Sequence, residues 1–137
     1  MVVSAFDSDV LIYAAVPGHP LGERILPLLD RDAVGSVLIL TEVLAKPLRD
    51  DPDSDESARL LEIVSRLDLL PLDLKTGQLA LALAVQYGLR AADAAHLATA
   101  VASGADRFIT NNRKDFSASI AEIDVVYPDD LPTSPVA

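Results

Sequence analysis

The chain has 137 residues, half of them hydrophobic, which suits one domain built on one real core. It has no cysteine and only two histidines, so disulfide frameworks and thiolate metal sites are impossible and a His-rich zinc site has little to build on. A formal charge of −10 argues against gripping nucleic acid through a broad basic face, although cations bound among clustered acids would reverse the local field, and an acidic surface also suits a basic partner.

The amino terminus, Met1 to Asp9, lacks the basic region and longer apolar core of a signal peptide, and later apolar stretches are broken by charges or prolines. The sequence reads as that of a cytoplasmic protein with no membrane contact. Val2 to Phe6 is a short apolar run that predicts a buried strand ending at Asp7. Asp9 to Val16 reads as a short helix stopped by Pro17-Gly18. From Pro20 to Leu29 the apolar positions Leu21, Ile25, Leu28 and Leu29 recur at helical spacing, with a kink at Pro27. Ala33 to Val37 is a second strand, and Ser36 caps a helix that runs to about Lys46, where Pro47 discourages continuation.

The stretch Asp50 to Glu56 is acidic, proline-broken and without apolar residues, so it reads as a solvated loop. Leu60, Leu61, Val64 and Leu67 form one helical face, Leu69 to Leu72 a short strand, and Thr76 to Tyr87 a helix apolar nearly all round, closed by Gly88. A further helix runs from about Ala92 to Ser103. It is followed by a strand from Phe108 to Thr110, a polar turn from Asn111 to Asp115, and a last strand from Asp124 to Tyr127. Helices alternating with short strands predict an α/β fold, a mostly parallel sheet covered on both faces, spanning residues 1–130 as a single domain with a loose tail at 131–137.

In open parallel sheets ligands collect at the carboxyl ends of the strands, which separates acids just past strands from acids on surface loops. Asp7 ends the first strand, Glu42 lies within the apolar run Leu38 to Leu44, and Asp93 opens an alanine-rich helix. Thr110, Asn111, Asn112, Arg113, Lys114 and Asp115 follow the fourth strand. Each has a plain structural reading. Asp7 and Asp93 are good helix caps, Asp115 is a turn acid, and His96, one turn after Asp93, is a satisfied core or supporting group. Glu42 resists such a reading, because a carboxylate held among apolar residues costs several kcal/mol unless it is paired or bound to metal. Carboxylates gathered together repel one another and persist mainly where a cation compensates them, and oxygen-only ligands favour magnesium or manganese over zinc.

These residues resemble the motifs of PIN-domain nucleases, especially the VapC-type toxins of prokaryotic toxin–antitoxin pairs. The resemblance rests on Phe6 to Tyr13, on Ser36 with Thr41 to Leu44, on Leu89 to Ala100, and on Gly104 to Phe116, in the family's order and separations over nearly the whole chain. It implies a PIN-like three-layer α/β/α sandwich and an endoribonuclease dependent on Mg2+ or Mn2+, with water attacking phosphorus and leaving a 5′-phosphate. It implies that Asp7, Glu42 and Asp93 are the core metal-binding acids. Asp115 is favoured as the fourth acid, since the chain has Asn112 where many relatives place an aspartate; Asn112 would then be a neutral ligand or position water. Asp9 stands where the family often has asparagine or serine and, with His96, would support the ligands. Thr110 is assigned to a ligand water or substrate phosphate, and Arg113 and Lys114 to the RNA backbone or, on the plainer reading, to surface charge. The implied partners are an RNA substrate, a second copy in a homodimer, and a cognate antitoxin, for which the face of Leu60, Leu61 and Val64 is one candidate surface and ordinary core the other reading.

Two alternatives are kept. Asp7-Ser8-Asp9 after a strand also mimics a haloacid-dehalogenase-like phosphohydrolase, although Lys75 and Asp129-Asp130 are poor candidates for the remaining residues of that class. The other is a PIN-like module that has lost catalysis and only binds.

Overall fold

A computed structural model describes residues 1–133 of the chain. Five strands, β1 (Ser4–Phe6), β2 (Ala33–Ser36), β3 (Asp68–Leu70), β4 (Arg107–Ile109) and β5 (Asp124–Val126), form one sheet in the order β3-β2-β1-β4-β5. Every neighbouring pair is parallel, with Ser4 opposite both Ala33 and Arg107 across the central strand. The expected mostly parallel sheet is therefore parallel throughout the described residues.

Six helices connect these strands: α1 (Ser8–Ala14), α2 (Pro20–Ile25), α3 (Ile39–Asp50), α4 (Asp55–Ser65), α5 (Leu74–Tyr87) and α6 (Ala91–Ala102). They divide into two layers because successive strand residues point to opposite faces. Phe6 and Ile109 face a core shared with Val10, Leu11, Ile25, Ile39, Val43, Leu60 and Ile63. Their neighbours Ala5 and Phe108 face the other core, with Leu83, Leu97, Ala98 and Phe116. The result is the three-layer α/β/α sandwich that the alternating pattern implies.

Local chemistry sets the helix ends. Asp7, Ser54 and Asp73 are N-caps whose side chains accept backbone N–H bonds from Ser8, Ser57 and Thr76. Gly88 ends α5 in the left-handed region at φ 68°.

Some expectations need correction. α3 begins after Leu38 and runs through Pro47 to Asp50, instead of stopping near Lys46. Buried Val43 and Leu44 and the partly buried Leu48 pack on the first core, which outweighs the one missing N–H, and Asp51 N–H closes the helix on the Pro47 carbonyl at 2.9 Å. The segment from Pro20 is an α-helix only to Ile25 and tightens into a 3-10 turn over Leu26–Asp30, where Pro27 sits. Leu61 does not share a face with Leu60 and Val64: it is 43% exposed, whereas Ile63 takes the core position. With Leu60 and Val64 committed to the core, that face is unavailable to a partner. Leu131, expected to begin the tail, is buried, and its carbonyl accepts from Arg24; residues 134–137 of that tail lie outside the described residues.

Replacing Gly88 by alanine forces a Cβ into the left-handed region and is expected to lower the unfolding free energy by about 1 kcal/mol, measured by urea denaturation.

Candidate active site

The strand order reverses at β1, so the chain leaves the carboxyl ends of β1 and β4 toward opposite layers and opens a crevice between them. Asp7 follows β1 directly and Thr110 follows β4, and the Asp7 N–H bonds the Ile109 carbonyl at 2.9 Å. Asp7 is 6% exposed. One carboxylate oxygen caps α1 by accepting from Ser8 N–H at 2.8 Å, and the other accepts from the buried Thr110 hydroxyl at 2.7 Å. Capping and site placement are thus the same geometry at Asp7, not rival readings.

Glu42 reaches this crevice from the first turn of α3. The apolar run around it does not bury it, because helical periodicity turns Ile39, Val43 and Leu44 inward and leaves the Glu42 side chain 38% exposed. Its Oε1 accepts from Ser8 Oγ at 2.7 Å and pairs with Nε2 of His96, whose side chain is 1% exposed. Oε2 is left to the crevice. His96 Nδ1 is buried without a partner.

Asp93 stands at the third position of α6; Arg90, not Asp93, is the N-cap residue. Burial, followed by the charges of Asp7 and Asp115, pushes its carboxyl above the ordinary range, and the Glu42 charge adds to this. Asp7, Asp115 and Glu42 thus all lie within electrostatic reach of Asp93. Asp115 is held by Asn112, whose Nδ2 donates to Asp115 Oδ2 at 2.9 Å, while the Asn112 carbonyl oxygen accepts from Asp115 N–H. Asn112 N–H in turn donates to the Thr110 hydroxyl at 3.1 Å.

Burial also pushes Asp7 upward, against the Thr110 hydrogen bond. Asp9 is shifted most clearly: burial and the neighbouring Asp7 charge move it up to about 7. Its Oδ2 accepts from Asn111 N–H at 3.1 Å, while its Oδ1 is buried with no partner.

One expected member is turned away. Arg113 pairs with Asp129 at 2.9 Å and lies over the Tyr127 ring, 4.1 Å from its centroid, because the turn after Asn112 carries it toward β5. Ser8 and Asn111 take part although the sequence motifs that contain them assigned neither a role. Ser8 lies inside the Asp7-Ser8-Asp9 run, but nothing in its spacing indicates a contact with Glu42, 34 residues away.

Among the described residues no three His, Asp or Glu side chains stand close enough together, as oriented, to enclose a metal ion. Asp7, Glu42 and Asp115 each engage a protein donor, which offsets part of their negative charge. The donor set is nonetheless hard oxygen, with the free Asp9 Oδ1 behind it, and fits magnesium or manganese by its chemistry.

The folded protein retains protons on Asp7, Asp9 and Asp93 that the unfolded chain has released, so without divalent cation its stability falls as pH rises from about 4 toward about 7. Asp9→Asn removes a charge and keeps an oxygen for Asn111. Calorimetry without added cation is expected to show a higher melting temperature than the native chain at pH 8 and almost none of that gain at pH 4. An equal gain at both values would exclude charge as its cause.

The PIN domain family model matches residues 5–119. No curated protein matches the chain. Among solved structures, the chain is similar to a toxin–antitoxin complex from Klebsiella pneumoniae, with 25% identity, a TM-score of 0.75, and coverage of 91% of this chain and 97% of that one. It is similar in fold to VapBC2 from Rickettsia felis bound to a DNA fragment from their promoter, at 20% identity and TM-score 0.73, covering 92% and 98%. DNA-bound VapBC from Salmonella typhimurium is likewise similar in fold, at 22% identity and TM-score 0.65, covering 93% and 99%. The haloacid-dehalogenase-like alternative falls with the family match. Asp129 is engaged by Arg113, and Lys75 lies on α5 beyond the edge strand β3, two strands from β1. With a parallel five-stranded sheet, acids gathered where its order reverses, and the family's pattern matched from Ala5 to Ser119, the chain belongs to the PIN domain family.

Proposed function

We propose that the protein is a Mg2+- or Mn2+-dependent endoribonuclease and the toxin of a toxin–antitoxin pair, working in the cytoplasm as a pair of identical chains. The observation that carries the catalytic reading is the hydrogen-bonded chain that ties Glu42 to Asp7 through Ser8, and Asp7 to Asp115 through Thr110 and Asn112, at the carboxyl end of the sheet within reach of Asp93. Carboxylates gathered in this way call for a cation.

Asp7, Glu42, Asp93 and Asp115 are the residues that would hold it. Asp7 is oriented by Thr110 and Ser8, and Asp115 by Asn112. With Oε1 of Glu42 occupied by Ser8 and His96, Oε2 is the oxygen available for ligation. Asp9 steadies the loop behind Asp7 through Asn111. A divalent cation held there would supply an activated water and charge neutralisation at the phosphodiester, so no side-chain nucleophile would be needed. The chain contributes position and charge.

The toxin reading draws on the likeness to the Klebsiella pneumoniae toxin–antitoxin complex. A partner with basic residues would suit a chain of charge −10.

Purified protein freed of any partner is expected to cleave RNA with added magnesium or manganese. Asp7→Asn or Asp93→Asn should each reduce cleavage by more than ~100-fold with the far-ultraviolet circular dichroism spectrum retained. Cutting at the native rate by either variant would sink the mechanism. A native chain that binds RNA without cutting it would favour the reading as a binding module.

A further inference from the structure

Aromatic side chains are scarce in this chain, which has three phenylalanines, three tyrosines and no tryptophan. Most of them are committed elsewhere. Phe6, Phe108 and Phe116 are buried in the two cores, Tyr127 is buried with its hydroxyl donating to the Phe116 carbonyl, and Tyr87 at the end of α5 donates to Glu122. Tyr13 stands apart. It is half-buried near the end of α1, and its ring is stacked on that of His19, also half-buried, with the centroids 4.7 Å apart and 8° between the planes.

Three features set this pair beside the acids and hold it rigid. First, Tyr13 follows Asp9 by four residues, so the two share one face of α1. Asn111 spans them: its N–H donates to Asp9 at 3.1 Å, and its side-chain Nδ2 donates to the Tyr13 hydroxyl at 3.4 Å. Second, Gly22 lets α2 lie directly on α1. A Cβ there would meet the Tyr13 carbonyl oxygen at 2.1 Å, so a larger residue would break the approach that sets His19 over Tyr13. Third, His19 is the N-cap of α2, and its Nδ1 accepts from the N–H groups of Leu21 and Gly22 at 3.1 and 3.3 Å, which fixes the ring. Asparagine, aspartate and serine are the preferred residues for such a cap. What histidine adds is a flat ring.

Unpaired bases of single-stranded RNA are recognised by stacking on aromatic rings, a contact open to every base because each has a π-face. It needs no positive charge. That suits a chain of charge −10 in which the basic side chain that follows the β4 turn, Arg113, is already paired with Asp129. We propose that the Tyr13–His19 stack is a subsite for one unpaired base of the RNA, received on the open face of the pair and seated beside the phosphodiester that the acids address. Asn111 joins this subsite to the acids: it holds Tyr13 with its side chain and Asp9 with its backbone, so a base ordered on the stack is ordered relative to the acid cluster. The proposal deepens the functional reading and rests on RNA as its substrate.

Two substitutions at His19 separate a ring that receives a base from a cap that only holds α2. His19→Asn keeps the cap and removes the ring, whereas His19→Phe keeps a ring and removes the cap. Binding of a short single-stranded RNA containing 2-aminopurine, whose fluorescence falls when it stacks, is followed on the full chain carrying Asp7→Asn, so that the RNA stays whole. With His19 in place the fluorescence should fall on binding. Adding His19→Asn is expected to weaken binding about tenfold and to abolish that fall, while adding His19→Phe should preserve both. The opposite pattern, in which asparagine binds as histidine does and phenylalanine loses affinity, overturns the subsite and leaves His19 a helix cap alone. RNA that binds with no fall in fluorescence overturns it as well. The nuclease reading fails separately: a chain with Asp7 intact that binds RNA without cutting it sinks catalysis and leaves the stack standing, and a His19→Asn chain that cuts RNA with the native KM sinks the stack and leaves catalysis standing.

Discussion

Four carboxylates that act on one another at one end of a parallel sheet impose the constraint on which the rest of this structure depends. Burial raises the affinity of Asp7, Asp9 and Asp93 for protons, and neighbouring carboxylates add to it. The protein answers with donors placed one at a time: Thr110 and Ser8 on Asp7, Ser8 and His96 on Glu42, Asn112 on Asp115, and Asn111 on Asp9. Thr110, Ser8, Asn111 and Asn112 are neutral groups. The basic side chain nearest in sequence, Arg113, is held elsewhere by Asp129 and Tyr127, so no fixed arginine competes for the acids.

The fold makes this crowding possible by being rigid where the acids attach. β1 and β4 are three residues each, flanked on both sides and packed on both faces, and Phe6, Phe108 and Ile109 are almost wholly buried next to Asp7 and Thr110. Two cores anchor opposite sides of the same short strands, which leaves the backbone little room to spread when the charges repel. Glu42 and Asp93 come from the two helical layers on either side of the sheet, α3 and α6, so the crevice draws on every layer of the sandwich.

Charge is also what separates the surfaces. Acids are spread over five of the six helices, and α5 alone is left without them while showing its leucines and valine to solvent.

The sequence by itself determined the alternation of helices and strands, and hence the parallel sandwich. Periodicity and turn residues are local properties, and they located every strand to within a few residues. It also singled out Asp7, Glu42, Asp93 and Asp115, since each lies beside a predicted strand end or in a motif of the PIN domain family. It misplaced features decided by competition between distant parts of the chain. Packing of α3 on the first core carries the helix through Pro47, and helical rotation puts Glu42 at the rim and Leu61 in solvent. Only the tertiary structure decided that Ser8 and His96 share one oxygen of Glu42, that Asn112 holds Asp115, and that Arg113 turns away. Those contacts join residues whose separation along the chain says nothing about their distance in space, because it is the closing of the sheet that brings them together.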